Sequence, residues 1–247
     1  MGPRLALLPT DAPVARRGPS GPLANAGGRG YILGSMTTQD FVPSNGSIRS
    51  VTVYCSSSAN LPGSFYELAW EMGAAIGRAG WGLVYGGNTV GMMDKVARGV
   101  RAAGGRVVGV TPRSMAQKGI ADEACHQLHI TQDMRTRKAM MEELGDAFVA
   151  LPGGIGTLEE FFEIIVGRSL GYHRKPVVLV NFEGYYQPLL DMFDHGIRRR
   201  FVRPSALDLF YVATSVGEVV AYLETASFRG DGSDSAAAVL DAAAPRG

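Results

Sequence analysis

Leu151-Pro152-Gly153-Gly154-Ile155-Gly156-Thr157-Leu158-Glu159-Glu160 is the stretch on which the fold turns. Before it runs Ala147-Phe148-Val149-Ala150, apolar throughout, which reads as a fully buried strand. After it comes Phe161-Phe162-Glu163-Ile164-Ile165, which reads as a helix. Strand, glycine turn and helix start is the arrangement with which an α/β protein holds an anion. Glycine lets backbone approach a ligand closely, and the free N–H groups of a helix N-terminus meet a phosphate with the positive end of the dipole. A plainer reading fits the same spacing: Thr157 as N-cap and Glu160 three residues on would form a capping box. Three glycines and a proline ahead of the cap favour a ligand, because capping requires none of them.

The remainder of the chain bounds the ligand. Of 247 residues, 24 are basic and 23 acidic, for a net charge of +1; this creates no field for nucleic acid or a membrane surface. Two cysteines, Cys55 and Cys125, make no disulfide framework and lack metal-site spacing, so a reducing, cytoplasmic setting is expected. No apolar run approaches the roughly 18 residues a membrane helix needs. Residues 1–45, rich in Gly, Pro, Ala and Arg, read as a disordered extension, with Met36 expected as the natural start. Residues 227–247 read as a disordered tail. Between them, about 180 residues suit one α/β domain, 46–226.

Within that domain, strands are expected at 48–54, 81–85, 107–110, 126–130, 147–150, 176–181 and 210–212. Helices are expected at 64–79 (capped by Ser64), 92–103, 133–144, from the opening motif to about 170, 185–200, and 215–224 (capped by Ser215). Apolar strands alternating with helices mean a Rossmann-like, doubly wound parallel sheet with helices on both faces. Ligands in such sheets sit beyond the strand C-termini, where the connection direction switches. Three loops fall on that edge: 55–58, 86–91 and 152–157. With no Gly-x-Gly-x-x-Gly before the first helix and no Walker lysine loop, a nucleotide monophosphate fits better than NAD or a nucleoside triphosphate.

Arg135, Arg137 and Lys138 open the helix before the central strand. A solvated basic face is the usual fate of such a run. Cations at a helix start nevertheless oppose the dipole, and a ligand phosphate would offset that mismatch. Arg137 could offer a bidentate fork and Lys138 a point charge.

Pro152-Gly153-Gly154-Ile155-Gly156-Thr157-Leu158-Glu159-Glu160 resembles the Pro-Gly-Gly-x-Gly-Thr-x-x-Glu signature of the LOG ("Lonely Guy") family. These are cytokinin riboside 5′-monophosphate phosphoribohydrolases, often mislabelled lysine decarboxylases. Arg137-Lys138 with Met141 matches its Arg-Lys-x-x-Met segment. Cys55-Ser56-Ser57-Ser58 is similar to its Cys-Gly-Ser-Ser turn, and Tyr85-Gly86-Gly87 with Gly91-Met92-Met93 to its second loop. The resemblance covers about 51–224. Asn88, Asp94, Arg135 and Ser56 depart from the pattern; the first two bear on substrate preference more than on reaction type.

The resemblance implies hydrolysis of the N-glycosidic bond of an N6-substituted AMP. Glu160 would stabilise the oxocarbenium-like sugar and take the proton of the attacking water, and Arg137 would position the nucleotide. Gly153, Gly154, Gly156 and Thr157 would hold the 5′-phosphate. Lys138, Met134, Ser57, Gly86 and Gly87 complete the expected substrate contacts. No metal or cofactor is expected, and a homodimer is. Two other readings remain open: a broader purine nucleotide 5′-monophosphate nucleosidase, and a non-catalytic carrier resembling molybdenum-cofactor carriers. His126 and His129, on one strand at an odd spacing, read as structural; Glu159 and Arg198-Arg199-Arg200 read as solvated.

Overall fold

The computed structural model describes residues 48–226. The expected extension, its start at Met36 and the tail lie outside the described residues. Seven strands form one parallel sheet: β1 (Ser50–Tyr54), β2 (Gly82–Tyr85), β3 (Val107–Pro112), β4 (Gln127–Thr131), β5 (Ala147–Ala150), β6 (Val177–Val180) and β7 (Tyr211–Ala213). Their order is β4-β3-β2-β1-β5-β6-β7. The chain therefore builds outward from β1 to one edge, then returns past β1 to build the other half. The switch lies between β1 and β5, whose register runs from Val51 opposite Ala147 to Tyr54 opposite Ala150. Every residue of β1, β2, β3, β5 and β6 is buried, as strands covered on both faces must be.

The covering layers are α1 (Gly63–Arg78), α2 (Gly91–Ala102) and α7 (Val216–Thr225) on one face, and α4 (Met134–Leu144), α5 (Ile155–Ser169) and α6 (Gln187–Arg198) on the other. The first layer packs Leu68, Met72, Ile76, Val96, Val100 and Leu223 against the sheet. The second packs Met141, Phe161, Ile164, Ile165 and Phe193. A single turn, α3 (Arg113–Ala116), follows β3 and has no counterpart in the sequence expectation.

Several expected boundaries move, each for a local reason. Ser64 lies inside α1 and caps nothing: the helix starts at Gly63 after Pro62, with no side-chain cap. Pro112 ends β3 as a paired residue opposite Thr131, at the strand terminus where a missing N–H is tolerated. The helix expected from 185 starts at Gln187, because the Asn181 side chain accepts from Tyr186 N (2.8 Å) and holds the chain in a one-turn 3-10 segment, Phe182–Gly184. His126 lies ahead of β4 and accepts from Val107 N through Nδ1 (3.1 Å). His129 is on β4, with its pKa lowered by burial. The two therefore do not occupy opposite faces of one strand.

Candidate functional site

The three loops expected to converge are joined through a single residue. Ser56 N donates to the Pro152 carbonyl (3.3 Å), and the Ser56 carbonyl accepts from Met92 N (3.0 Å). The turns after β1, β2 and β5 thus meet over the switch point. Ser57 beside this junction is exposed.

The opening motif folds differently from a capping box. α5 begins at Ile155 with Gly154 as N-cap and no side-chain cap. Thr157 is thereby the third helical residue and Glu160 the sixth, so neither serves the helix terminus. Ile155, Gly156 and Thr157 carry N–H groups without acceptors inside the helix, the first α5 bond being Leu158 N to Gly154 O at 3.0 Å. Gly153 has to be glycine here: a Cβ on it would lie 2.1 Å from Thr157 Oγ1. That hydroxyl is packed directly beneath the turn, and Thr157 is buried.

One turn further along α5, Glu160 meets Arg137 of α4. Arg137 Nη1 lies 2.9 Å from Glu160 Oε1, with side-chain exposures of 7% and 13%, low enough to make this a buried ion pair. Arg137 Nε also donates to the Val110 carbonyl within β3 (3.0 Å). Its Nη2 rests over Gly86, where a Cβ would intrude to 2.4 Å; the second loop needs glycine so that the guanidinium can approach it. Met134 stands beside Arg137, its Sδ 3.7 Å from Nη1, and is half exposed at the crevice. Burial pushes the Glu160 pKa up, and the Arg137 charge and hydrogen bond only partly oppose it. Burial and the Glu160 charge raise the Cys55 thiol as well, which keeps it neutral and unsuited to nucleophilic attack.

Two expected contacts are engaged elsewhere. Lys138 pairs with Glu159, and with Glu163 Oε2 at 2.9 Å, so Glu159 is bound rather than merely solvated. Gly87 turns toward β3: its carbonyl accepts from Asp122 N (2.8 Å). Asp122 in turn accepts from Tyr85 OH (2.6 Å) and Arg101 Nη1 (2.7 Å). Asn88 and Asp94 engage partners of their own. The Asn88 side-chain Oδ1 accepts from Thr111 Oγ1 (3.0 Å), and Asp94 pairs with Arg98 one turn on (3.6 Å).

Sequence reasoning missed Tyr185 and Tyr186. Tyr185 OH donates to the Gly153 carbonyl (2.8 Å), and Tyr186 OH to the Leu151 carbonyl (2.9 Å). Their position just beyond the C-terminus of β6, on the ligand edge of the sheet, was the available signal.

The family model described as "Possible lysine decarboxylase" matches residues 93–223. A cytokinin riboside 5′-monophosphate phosphoribohydrolase of Rhodococcoides fascians is 42% identical over 180 residues, 72% of this chain and 90% of its own length. An enzyme of the same name from Arabidopsis thaliana is 39% identical over 176 residues, 71% of this chain and 83% of its own. The chain belongs to the cytokinin riboside 5′-monophosphate phosphoribohydrolase family. A solved molybdenum cofactor carrier protein from Chlamydomonas reinhardtii shares the fold at 23% identity, with a TM-score of 0.55 over 71% of this chain and 95% of its own.

The decarboxylase description fits the side chains poorly. A lysine that forms a Schiff base must lose its proton readily. Burial favours neutral Lys138, but its hydrogen bonds to Glu159 and Glu163 outweigh burial and raise its pKa. Lys175, whose pKa burial lowers, precedes β6 and sits at the opposite edge of the sheet, donating to the Glu142 carbonyl (2.6 Å).

Proposed function

We propose that this chain hydrolyses the N-glycosidic bond of an N6-substituted adenosine 5′-monophosphate, releasing the base and ribose 5-phosphate. The buried Arg137–Glu160 pair, one helical turn from the uncapped start of α5, is the observation that carries the reading. The N–H groups of Gly154, Ile155, Gly156 and Thr157, with the Thr157 hydroxyl, hold the 5′-phosphate. Glu160 stands five residues beyond Ile155, about 7 Å along the helix, a separation that lets it reach the sugar of a nucleotide anchored by its phosphate. As C1′–N9 breaks, its electron pair leaves with the base and positive charge builds on the ribose. The Glu160 carboxylate stabilises that charge and takes the proton of the water that adds to C1′, while the base acquires a proton. Arg137 keeps the carboxylate aimed, and Met134 forms part of the wall for the base.

The names of the relatives favour a cytokinin nucleotide over a general purine nucleotide. Incubation with AMP, GMP and N6-isopentenyl-AMP, followed by measurement of free base, tests this. The prenylated base is released fastest, and Glu160→Gln releases it about a hundredfold or more slowly while still binding nucleotide. Equal release from all three would favour the broader nucleosidase; binding without release by wild type would favour a carrier.

The reaction is assigned to the single domain, 46–226. The same proposal makes the enzyme a homodimer, since Val166, Leu170 and Tyr172 at the end of α5, with Met192 and Phe201, leave apolar surface exposed; light scattering measures the assembly. A cytoplasmic setting suits the free thiols of Cys55 and Cys125. Among the described residues no helix is long and apolar enough to cross a membrane.

A further inference from the structure

The chain leaving β5 bends at Pro152, and the carbonyls of residues 151–153 take partners on alternate sides. Leu151 N donates toward β1, to the Tyr54 carbonyl (2.9 Å). The Leu151 carbonyl turns the other way, to Tyr186 OH. The Pro152 carbonyl returns to the β1 side and accepts from Ser56 N. The Gly153 carbonyl turns away again, to Tyr185 OH at 2.8 Å. In a trans peptide the N–H points opposite to the C=O. A Gly153 carbonyl held on the Tyr185 side therefore directs Gly154 N–H away from Tyr185, toward the side on which Ser56 meets Pro152.

We propose that Tyr185 is a positioning residue that locks the Gly153–Gly154 peptide with its N–H toward the phosphate. The inference rests on the phosphate reading of this loop. Glycine on both sides of the bond offers little steric resistance to a peptide flip, and the flipped state would present a carbonyl oxygen to the anion. The Tyr185 hydroxyl is what opposes that flip. Its ring is held independently, packing edge-on against Phe65 (6.0 Å, 72°) and Tyr186 (4.9 Å, 80°), so removing the hydroxyl leaves the ring seated. Tyr186 provides the contrast. It pins the Leu151 carbonyl, and the peptide behind that carbonyl ends in Pro152, which has no N–H to present.

Calorimetric titration with ribose 5-phosphate, a ligand that cannot be hydrolysed at this bond, tests the assignment on the full chain. Tyr185→Phe weakens binding about five- to tenfold, the value of one neutral hydrogen bond. Tyr186→Phe lowers Tm without weakening binding. Unchanged affinity in Tyr185→Phe, or equal losses in the two variants, overturns the proposal while leaving phosphate binding intact. Wild type that fails to bind ribose 5-phosphate overturns both. If Tyr185→Phe does not fold, amide NMR of wild type decides: Gly154 N–H shifts strongly on adding ribose 5-phosphate, and a shift confined to Ile155–Thr157 overturns the role of Tyr185 alone.

Discussion

Two helices in this molecule begin with the same local pattern and use it for opposite ends. Ser215-x-x-Glu218 opens α7, and Thr157-x-x-Glu160 lies in the first two turns of α5. In α7 the pattern caps: Ser215 Oγ accepts from Glu218 N (3.3 Å), and the Glu218 carboxylate accepts from Thr214 N (2.6 Å). In α5 the helix starts two residues ahead of Thr157, at Ile155, and leaves its N–H groups without side-chain acceptors. Glu160, in place of closing the helix, is buried against Arg137 from α4. A helix whose own side chains satisfy its start has nothing to offer a ligand. One left open, with glycine in front and a carboxylate a turn behind, supplies what the proposed reaction asks for: free N–H groups for an anion and an acid within reach.

Substitution at equivalent places in the two helices should separate these roles. Glu160→Gln lowers base release by about a hundredfold or more, whereas Glu218→Gln changes Tm and leaves turnover alone; steady-state assays of both variants check this. Gly86→Ala acts on the α5 side from outside the helix. Its Cβ would meet Arg137 Nη2 at 2.4 Å, and displacing the guanidinium lowers kcat by about tenfold or more without a matching change in ribose 5-phosphate affinity. Ser215→Ala lowers unfolding free energy by about 1 kcal/mol in a denaturant titration and does not alter kcat/KM.

The smallest effect is on pH. Burial raises the Glu160 pKa, so the carboxylate needed for turnover is lost as pH falls through a value above the usual carboxylate range. The acid limb of kcat against pH lies there. The linked stability runs the other way, since the folded chain holds this proton more tightly than the unfolded one. The Glu160 contribution to stability therefore declines as pH rises from the usual carboxylate range through the raised value. Glu160→Gln flattens that part of the stability profile.

The sheet and its ligand edge were legible because buried parallel strands write themselves as apolar runs of four to six residues, such as Val177–Val180. The convergence of 55–58, 86–91 and 152–157 followed from topology alone, since alternating strand and helix forces every strand-to-helix loop to one edge. The α5 start stayed open between capping and ligand because Thr-x-x-Glu fits both on paper. Whether it caps depends on where the helix begins, and two glycines give no propensity signal to mark that point. Lys138 was expected to face the substrate, but its pairing with Glu159 and Glu163 depends on how α4 packs beside α5. Tyr185 and Tyr186 went unnoticed because their partners lie 32 and 35 residues back in the chain.

By itself, the order of residues determined the element types, the layered α/β plan and the glycine loop at the β5 terminus, because hydrophobic period and turn chemistry are local properties. Only the tertiary structure decided that Arg137 and Glu160, 23 residues apart, share one desolvated contact, and that the carbonyls of residues 151–153 are engaged by groups from two other loops. Both depend on the angles at which separate elements meet over the switch point, and side-chain packing across the whole sheet sets those angles.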